Sequence, residues 1–148
     1  MIERSIQRLE YLCNTVPVLL AKIPDAEFSF KPHPEKWSRK EILGHLVDSA
    51  CNNHQRFIRT QFEDNPSIFY DQDQWNKHSK YSSFDSSELI LFWVTYNNYL
   101  TEIIKNIPEE NLSRTCRVGE EKTLTLELII EDYVRHMEHH LKQLVPYF

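Results

Sequence analysis

Apolar residues recur at helical spacing in four long segments, and this periodicity constrains the fold more than any other feature of the chain. In the first segment, about residues 2–23, the apolar positions alternate steps of four and three, which places them on one face of an α-helix. Pro17 lies within this segment and predicts a kink or a division of the helix, because proline removes one helical hydrogen bond. The apolar face comprises Ile2, Ile6, Leu9, Cys13, Val16, Leu20 and Ile23.

Capping and stop signals place the other three predicted helices. Ser38 precedes Glu41 by three residues, which is the spacing of a capping box at the start of a second helix. We expect this helix to continue to about Asp64, because the residue before Pro66 disfavours the helical conformation. The third and fourth helices are predicted to begin near Asp85 and Thr125, and the third to end before Pro108.

The segments between the helices are predicted to be loops. Residues 65–84 are polar and aromatic, and a connection of this length inside a compact domain is uncommon and often functional. Residues 108–123 form a second loop. Only Gly44 and Gly119 are glycines, which disfavours tight β-hairpins and glycine-rich phosphate loops. We therefore expect an all-α fold: one domain over residues 1–148, a four-helix bundle with a long connection between its second and third helices.

Composition narrows the classes of partner and the compartment. The formal net charge is −5 and no basic patch is interleaved with aromatics, which disfavours nucleic acid as a partner. The apolar runs are too short to span a bilayer, and the N-terminal residues lack a signal-peptide pattern. Three widely spaced cysteines do not form a disulfide framework. These features predict a cytoplasmic protein that acts on a small molecule, without a membrane or nucleic-acid partner.

Three histidines are the strongest candidates for chemistry. His136 and His140 lie one helical turn apart on the fourth predicted helix, and His45 lies on the second. Around each helix these residues share a face with Asp, Asn or Gln rather than with the Lys and Glu of a solvated surface. Neutral imidazoles bind Zn, Cu, Fe and Ni, and three of them leave positions open for water or substrate. Alternatively, the pair of histidines on the fourth helix is solvent-exposed, as most such pairs are.

The same polar face of the second helix contains further candidate site residues. Asp48 and Asn52 follow His45 by one and two turns, and they either orient a ligand or substrate or form a buried polar pair. Arg56 either receives a carboxylate from a thiol co-substrate or forms a salt bridge with Asp71 or Asp73.

The remaining candidates have weaker signals. We expect His139 to be exposed, although an i,i+3 pair with His136 is an alternative. His54 lies opposite His45 on its helix and is expected to be packed or exposed, and Cys51 is expected to be a buried small side chain rather than a nucleophile. Asp132 is interpreted either as a partner of His136 or as a cap. In the long connection, Tyr70, Asp71, Asp73 and Trp75 either line a pocket or, in the case of Trp75, pack against the end of the bundle.

Three segments together resemble the DinB-like superfamily, and in particular its YfiT-like branch of metal-dependent hydrolases and bacillithiol S-transferases. They are KWSRKEILGHLVDSACNNHQRFIR at 36–59, FYDQDQW at 69–75 and EDYVRHMEHHLKQL at 131–144. The resemblance covers about residues 28–145, and the Trp-Ser start, the HLVDS core and the YDxDxW segment are its most specific parts.

The resemblance implies a fold, a metal and an activity. The fold is an up-down-down-up four-helix bundle, usually dimeric, and the metal is one divalent ion, Ni or Zn, bound by His45, His136 and His140. The implied enzyme uses that ion to activate a thiol or water, as a bacillithiol-type S-transferase or a hydrolase. The alternative function is a non-catalytic, stress-related bundle protein in which the ion only stabilises the fold.

Overall fold

The computed structural model describes residues 2–148 and consists mostly of helices. Within these residues no helix has both the length and the apolar character needed to cross a bilayer. The predicted all-α four-helix bundle is confirmed, with one small two-stranded sheet added to it. The four long helices are α1 (Ile2–Leu20), α3 (Arg39–Arg59), α5 (Ser86–Lys105) and α6 (Leu126–Leu144); two short helices are α2 (Asp25–Phe28) and α4 (Gln72–Ser79), and the strands are β1 (Thr115–Gly119) and β2 (Lys122–Thr125).

α1 lies diagonally across the bundle from α3, and α5 lies diagonally across from α6. α1 and α3 each pack against both α5 and α6. α3 and α5 run in the same direction: Lys40 near the start of α3 donates to the Phe84 carbonyl just before α5, and His54 near the end of α3 bonds Tyr96 near the middle of α5. The connection between two parallel neighbours must return along the bundle, which explains why a long segment is needed there.

α6 runs antiparallel to α3. His45 in the first half of α3 contacts His140 in the last turns of α6, whereas Phe57 near the end of α3 contacts Tyr133 in the first half of α6. The last three long helices therefore have the down-down-up order implied by the resemblance. The α3–α6 pair therefore brings His45 close to His136 and His140.

The interior of the bundle is filled by large apolar side chains that the helical periodicity had predicted. Trp93, Leu46 and Leu100 are at most 1% exposed. Removing a side chain of this size from water contributes about 1.5–3 kcal/mol to folding, so the packed faces hold the four helices together.

The ends of two helices differ from the predictions. α1 is not divided at Pro17 but continues through it to Leu20, three residues short of the predicted end. Pro17 lies one turn from this end, and its carbonyl still accepts a hydrogen bond from the Ala21 amide, so one lost donor does not break the helix. α3 ends at Arg59 rather than at Asp64, and the intervening residues form turns.

The connection over residues 65–84 is not an irregular loop. α4 begins after Asp71, whose carboxylate accepts hydrogen bonds from the amides of Asp73 and Gln74. A 3₁₀ turn, Tyr81–Ser83, follows Lys80, which has a left-handed backbone. The capping aspartate is a sequence signal that the prediction did not use.

The predicted loop over residues 108–123 contains β-structure, so that prediction is also wrong. β1 pairs with β2 in an antiparallel hairpin, with a short 3₁₀ turn, Glu109–Asn111, before it. A two-stranded hairpin is marginally stable alone. Here Cys116 is fully buried, and Arg117 exchanges backbone hydrogen bonds with Pro66 and Ile68 after α3. Tertiary contacts therefore stabilise the hairpin despite the scarcity of glycine.

Candidate metal centre

α3 and α6 bring His45, His136 and His140 together between them. The Nε2 atoms of His45 and His136 are 3.1 Å apart. The centroids of the three rings are 4.7–5.0 Å from one another. One ligand atom from each ring lies within 4.8 Å of the others. The sequence allowed the alternative that His136 and His140 are a solvent-exposed pair. In the structure both rings instead lie against the His45 ring.

Local structure explains these positions. The one-turn spacing on α6 directs His136 and His140 to the same side of that helix. His45 is fully buried in the second turn of α3, where the Trp37 ring packs against it at 5.0 Å. The predicted capping box is present at the start of α3, and it places His45 at a defined distance from the helix end.

The geometry and the donor set fit a divalent transition metal. Nitrogen ligands about 2.0–2.1 Å from one ion lie about 3 Å from each other, close to the distance between the His45 and His136 nitrogens. The Nδ1 atoms of His45 and His140 are buried without a hydrogen-bond partner among residues 2–148. In the absence of metal, the two Nε2 atoms can share one N–H···N hydrogen bond, so the proximity alone does not require an ion.

Burial keeps the three imidazoles uncharged. It lowers the pKa of His45 to about 3 and that of His136 to about 4, and the neighbouring imidazoles add to both shifts. The pKa of His140 is also lowered, mainly by burial. A neutral imidazole has a free lone pair, so near neutral pH all three rings are in the form that binds metal.

Two further histidines lie outside the cluster. His139 is exposed, as predicted, and its Nε2 is 3.4 Å from the Gln143 amide nitrogen. The alternative pair of His136 and His139 therefore does not form. His54 bonds the Tyr96 hydroxyl of α5 at 2.9 Å, so it packs against that helix and is not a ligand of the cluster.

Asp48 and Asn52 are buried in the structure. Tyr81 donates its hydroxyl to Asp48 Oδ1 at 2.5 Å, while Asp48 Oδ2 has no partner within residues 2–148. The amide of Asn52 donates to the backbone carbonyl of Asp48 at 2.9 Å. No local sequence signal points to Tyr81, because its contact with Asp48 joins residues 33 positions apart.

Arg56 does not form the salt bridge proposed as one of its alternatives. Its Nε donates to the Ile68 carbonyl at 2.9 Å and its Nη1 to Asn53 Oδ1 at 3.2 Å. Asp71 instead caps α4, and Asp73 lies in the first turn of that helix.

The other residues singled out from the sequence lie around the centre. Asp132 pairs with Arg135 one turn later, and its negative charge opposes the downward shift of the His136 pKa. Trp75 is 38% exposed, and its ring meets the Tyr70 ring at 5.4 Å.

A cavity of about 440 Å³ is lined by none of the three histidines themselves but by residues that neighbour them. Its lining includes Trp37, which packs against His45, and Gln143, which follows His140 on α6. A larger groove of about 1230 Å³ lies between α1 and α6, is lined by Arg8 and Glu138 among others, and contains no member of the three-histidine cluster. The smaller cavity has a volume typical of small-molecule sites and is the better candidate for substrate access.

Replacing Asp48 with asparagine is expected to stabilise the protein at neutral but not at acidic pH. Burial raises the pKa of Asp48 from 3.8 to about 6. The folded state therefore binds the proton more tightly, and the stability due to protonation, present below pH 3.8, is lost as the pH rises through about 6. Asparagine accepts the same bond from Tyr81 without a charge. We expect Asp48→Asn to raise the free energy of unfolding by about 2 kcal/mol at about pH 7.5 and to leave it unchanged at about pH 4.

Urea unfolding of both proteins at the two pH values measures this difference. Asp64→Asn removes an exposed carboxylate and is the control, with little change expected at either pH. If the free energies of unfolding of Asp48→Asn and the wild type differ by the same amount at both pH values, the raised pKa of Asp48 is contradicted.

Comparison with known proteins finds a family match that extends over almost the whole chain. The sequence profile of the DinB superfamily matches residues 2–144. A “Putative metal-dependent hydrolase” of Halalkalibacterium halodurans is 24% identical over 141 residues, which cover 95% of this chain and 82% of the relative. The “Putative metal-dependent hydrolase YfiT” of Bacillus subtilis is 23% identical over 141 residues, covering 94% and 79%.

Solved structures show the same fold. B. subtilis YfiT, described as “a probable metal-dependent hydrolase with an unusual four-helix bundle topology”, matches with a TM-score of 0.87 at 21% identity, over 97% of this chain and 83% of YfiT. A mycothiol-dependent maleylpyruvate isomerase matches with a TM-score of 0.79 at 13% identity, over 97% of this chain but only 60% of the isomerase.

Proposed function

The chain belongs to the DinB superfamily, and we propose that it is a metal-dependent enzyme in which His45, His136 and His140 bind one divalent transition-metal ion. Nickel and zinc are the proposed metals, because both accept imidazole ligands. The observation that carries this proposal is the convergence from two helices of three uncharged imidazoles, of which His45 is buried and His136 and His140 are half-buried.

Three protein ligands suit a catalytic rather than a purely structural site. Structural zinc sites are usually closed by four protein ligands, whereas catalytic sites keep a position for water or substrate. A metal bound here would supply Lewis acidity, which lowers the pKa of water or a thiol and makes either one a nucleophile near neutral pH.

The residues around the histidines have distinct proposed roles. Trp37 packs on the His45 ring and shields it from bulk water. Asp48 and Asn52 are proposed to bind substrate or to position the groups that do, because Asp48 Oδ2 is buried without a partner and can hold or accept a proton. Arg56 is proposed to contact substrate, because one side of its guanidinium has no protein acceptor.

Hydrolysis of a small-molecule substrate is the proposed general reaction. The relatives named as metal-dependent hydrolases support it. Transfer of a low-molecular-weight thiol, such as bacillithiol, to an electrophile is the specific form, and the structural likeness to a mycothiol-dependent isomerase favours it. In both reactions the histidine cluster would activate the attacking group.

We further propose that the protein is a cytoplasmic homodimer. Cys13, Cys51 and Cys116 are all unpaired, which is typical of a reducing compartment. Leu91 and Phe92 on the outer face of α5 are 64% and 53% exposed, and apolar side chains on one face support contact between copies.

Metal content and thiol conjugation test the proposed function. Elemental analysis of untagged protein is expected to find about one transition-metal ion per chain. Conjugation of bacillithiol to a chlorinated aromatic electrophile, and release of product from an ester, are then measured with and without a chelator. We expect one of the two activities and its loss on chelation.

The metal content and the two assays together distinguish a metal-dependent enzyme from a non-catalytic metal-binding protein. Absence of metal would contradict the proposal. Bound metal with neither activity would favour the alternative, a non-catalytic metal-binding protein. A thermal melt does not decide between them, because a tightly bound ion raises stability in either case.

A further inference from the structure

Arg56 carries a half-buried positive charge without a carboxylate partner among residues 2–148. Its two protein acceptors, the Ile68 carbonyl and the Asn53 side-chain oxygen, are both uncharged. Its Nη2 donates to no protein atom and is not fully buried, so a ligand can reach it. Half of the guanidinium fork is therefore free to bind a ligand.

Arg114 also donates only to uncharged acceptors, the carbonyls of Thr60 and Glu63, whereas two other arginines have a carboxylate partner. Arg8 and Arg59 each direct Nε and Nη2 to a glutamate. Burial lowers the pKa of Arg56, which means that its surroundings disfavour the charge. An unpaired charge removed from water is costly, so its retention needs a compensating partner.

Arg56 faces the metal centre along the groove between α3 and α6. It follows His45 by 11 residues, close to three full turns, so both lie on the same face of α3, about 16 Å apart along the axis. The hydrogen bond to Asn53 shows that the side chain extends back towards the start of the helix. An arginine side chain reaches about 6 Å, which places a bound group roughly 10 Å from the histidines.

The acidic groups near Arg56 do not balance its charge. Asp132 on α6 is near enough to act electrostatically on both Arg56 and His136, but it is paired with Arg135. Tyr70 also faces Arg56, and burial raises its pKa to about 12, so it is uncharged near neutral pH. With a divalent ion at the histidines, the groove would carry an excess of positive charge.

We propose that Arg56 binds an anionic group of the substrate, a carboxylate or a phosphate, while the reacting end of the same molecule lies at His45, His136 and His140. The planar fork of arginine matches both anions, and its bond to Ile68 holds the fork in place. This inference rests on the proposed function, and it adds a substrate class: elongated anions with the charge roughly 10 Å from the reacting atom.

Three probes that differ at one end test the proposal on the full metal-loaded chain. They are 6-mercaptohexanoate, the phosphate monoester of 6-mercaptohexanol, and 6-mercaptohexanol itself, which is uncharged. Isothermal titration calorimetry measures their affinities. We expect at least one anion to bind about 10-fold or more tightly than the alcohol, and the tighter of the two identifies the anion class.

Variants assign this preference to Arg56. Arg56→Gln is expected to abolish the preference for the anion without weakening the alcohol. Arg59→Gln, which removes a nearby arginine that is paired with Glu63, is expected to preserve it. If Arg56→Gln fails to fold, Arg56→Lys decides, because it keeps the charge but lacks the fork and should reduce the preference. Equal binding of all three probes by the wild type, or a preference that survives substitution of Arg56, would overturn the proposal.

Hexanoate, which has no thiol, separates this proposal from the proposed metal site. Its binding is followed by NMR of arginine Nε–H signals in the wild type, in Arg56→Gln and in a His45→Ala, His140→Ala double variant. Binding that needs Arg56 and persists in the double variant supports the anion site even if the protein contains no metal. Binding unaffected by Arg56→Gln would contradict the anion site, whatever the metal content.

Discussion

A variant with alanine at both His45 and His140 is expected to lose its metal and its activity together. Metal binding to four-ligand sites is worth about 10–16 kcal/mol, so each ligand contributes roughly 3 kcal/mol. Removing two of three imidazoles should weaken metal binding by roughly 10,000-fold. Elemental analysis after dialysis and the hydrolysis and conjugation assays measure both effects.

A matched control removes two histidines from the same two helices. His54→Ala with His139→Ala takes one imidazole from α3 and one from α6, but neither belongs to the cluster. We expect wild-type metal content and activity from this control. Activity that survived the substitution of His45 and His140 would rule out the proposed mechanism, provided circular dichroism shows both variants to be folded.

Substituting Gly44 with alanine is expected to destabilise the fold by about 3 kcal/mol. A methyl group at Gly44 would lie 2.1–2.6 Å from three ring carbons of Tyr81, far inside van der Waals contact. Tyr81 is 5% exposed, and its hydroxyl bonds Asp48, so the ring cannot move away freely. The clash should outweigh the gain of about 1 kcal/mol that alanine normally brings within a helix.

Gly119→Ala provides the control for this prediction. A methyl group there would meet only the Lys122 side chain, at 3.6 Å, an ordinary contact. We expect Gly119→Ala to change the unfolding free energy by less than about 0.5 kcal/mol in urea. Combining Gly44→Ala with Tyr81→Leu should recover part of the loss, because the smaller side chain relieves the contact. Strictly additive effects in the double variant would refute the proposed clash.

Helices and their starts were predictable because their signals are local. The Ser38–Glu41 capping box lies where the sequence placed it, and α5 and α6 begin after Asp85 and Thr125 as predicted. Hydrogen bonds within a helix join residues four apart, so composition and spacing over a short window determine where a helix forms.

Short elements were not predictable in the same way. α4 has only eight residues, and the β1–β2 hairpin has a weak pattern of its own. The hairpin depends on the burial of Cys116 and on backbone hydrogen bonds from Arg117 to residues about 50 positions earlier. Such contacts exist only after the bundle has formed, which explains why the predicted loop over residues 108–123 was wrong.

The sequence by itself determined four amphipathic helices, their capped starts, and the faces on which His45, His136 and His140 lie. Only the tertiary structure decided that these three rings converge while His139 stays outside, that Tyr81 occupies the space beside Gly44, and that Arg56 has no acidic partner. The physical reason is that angular position on a helix follows from local geometry. The register at which α3 meets α6 depends on the packing of the whole core.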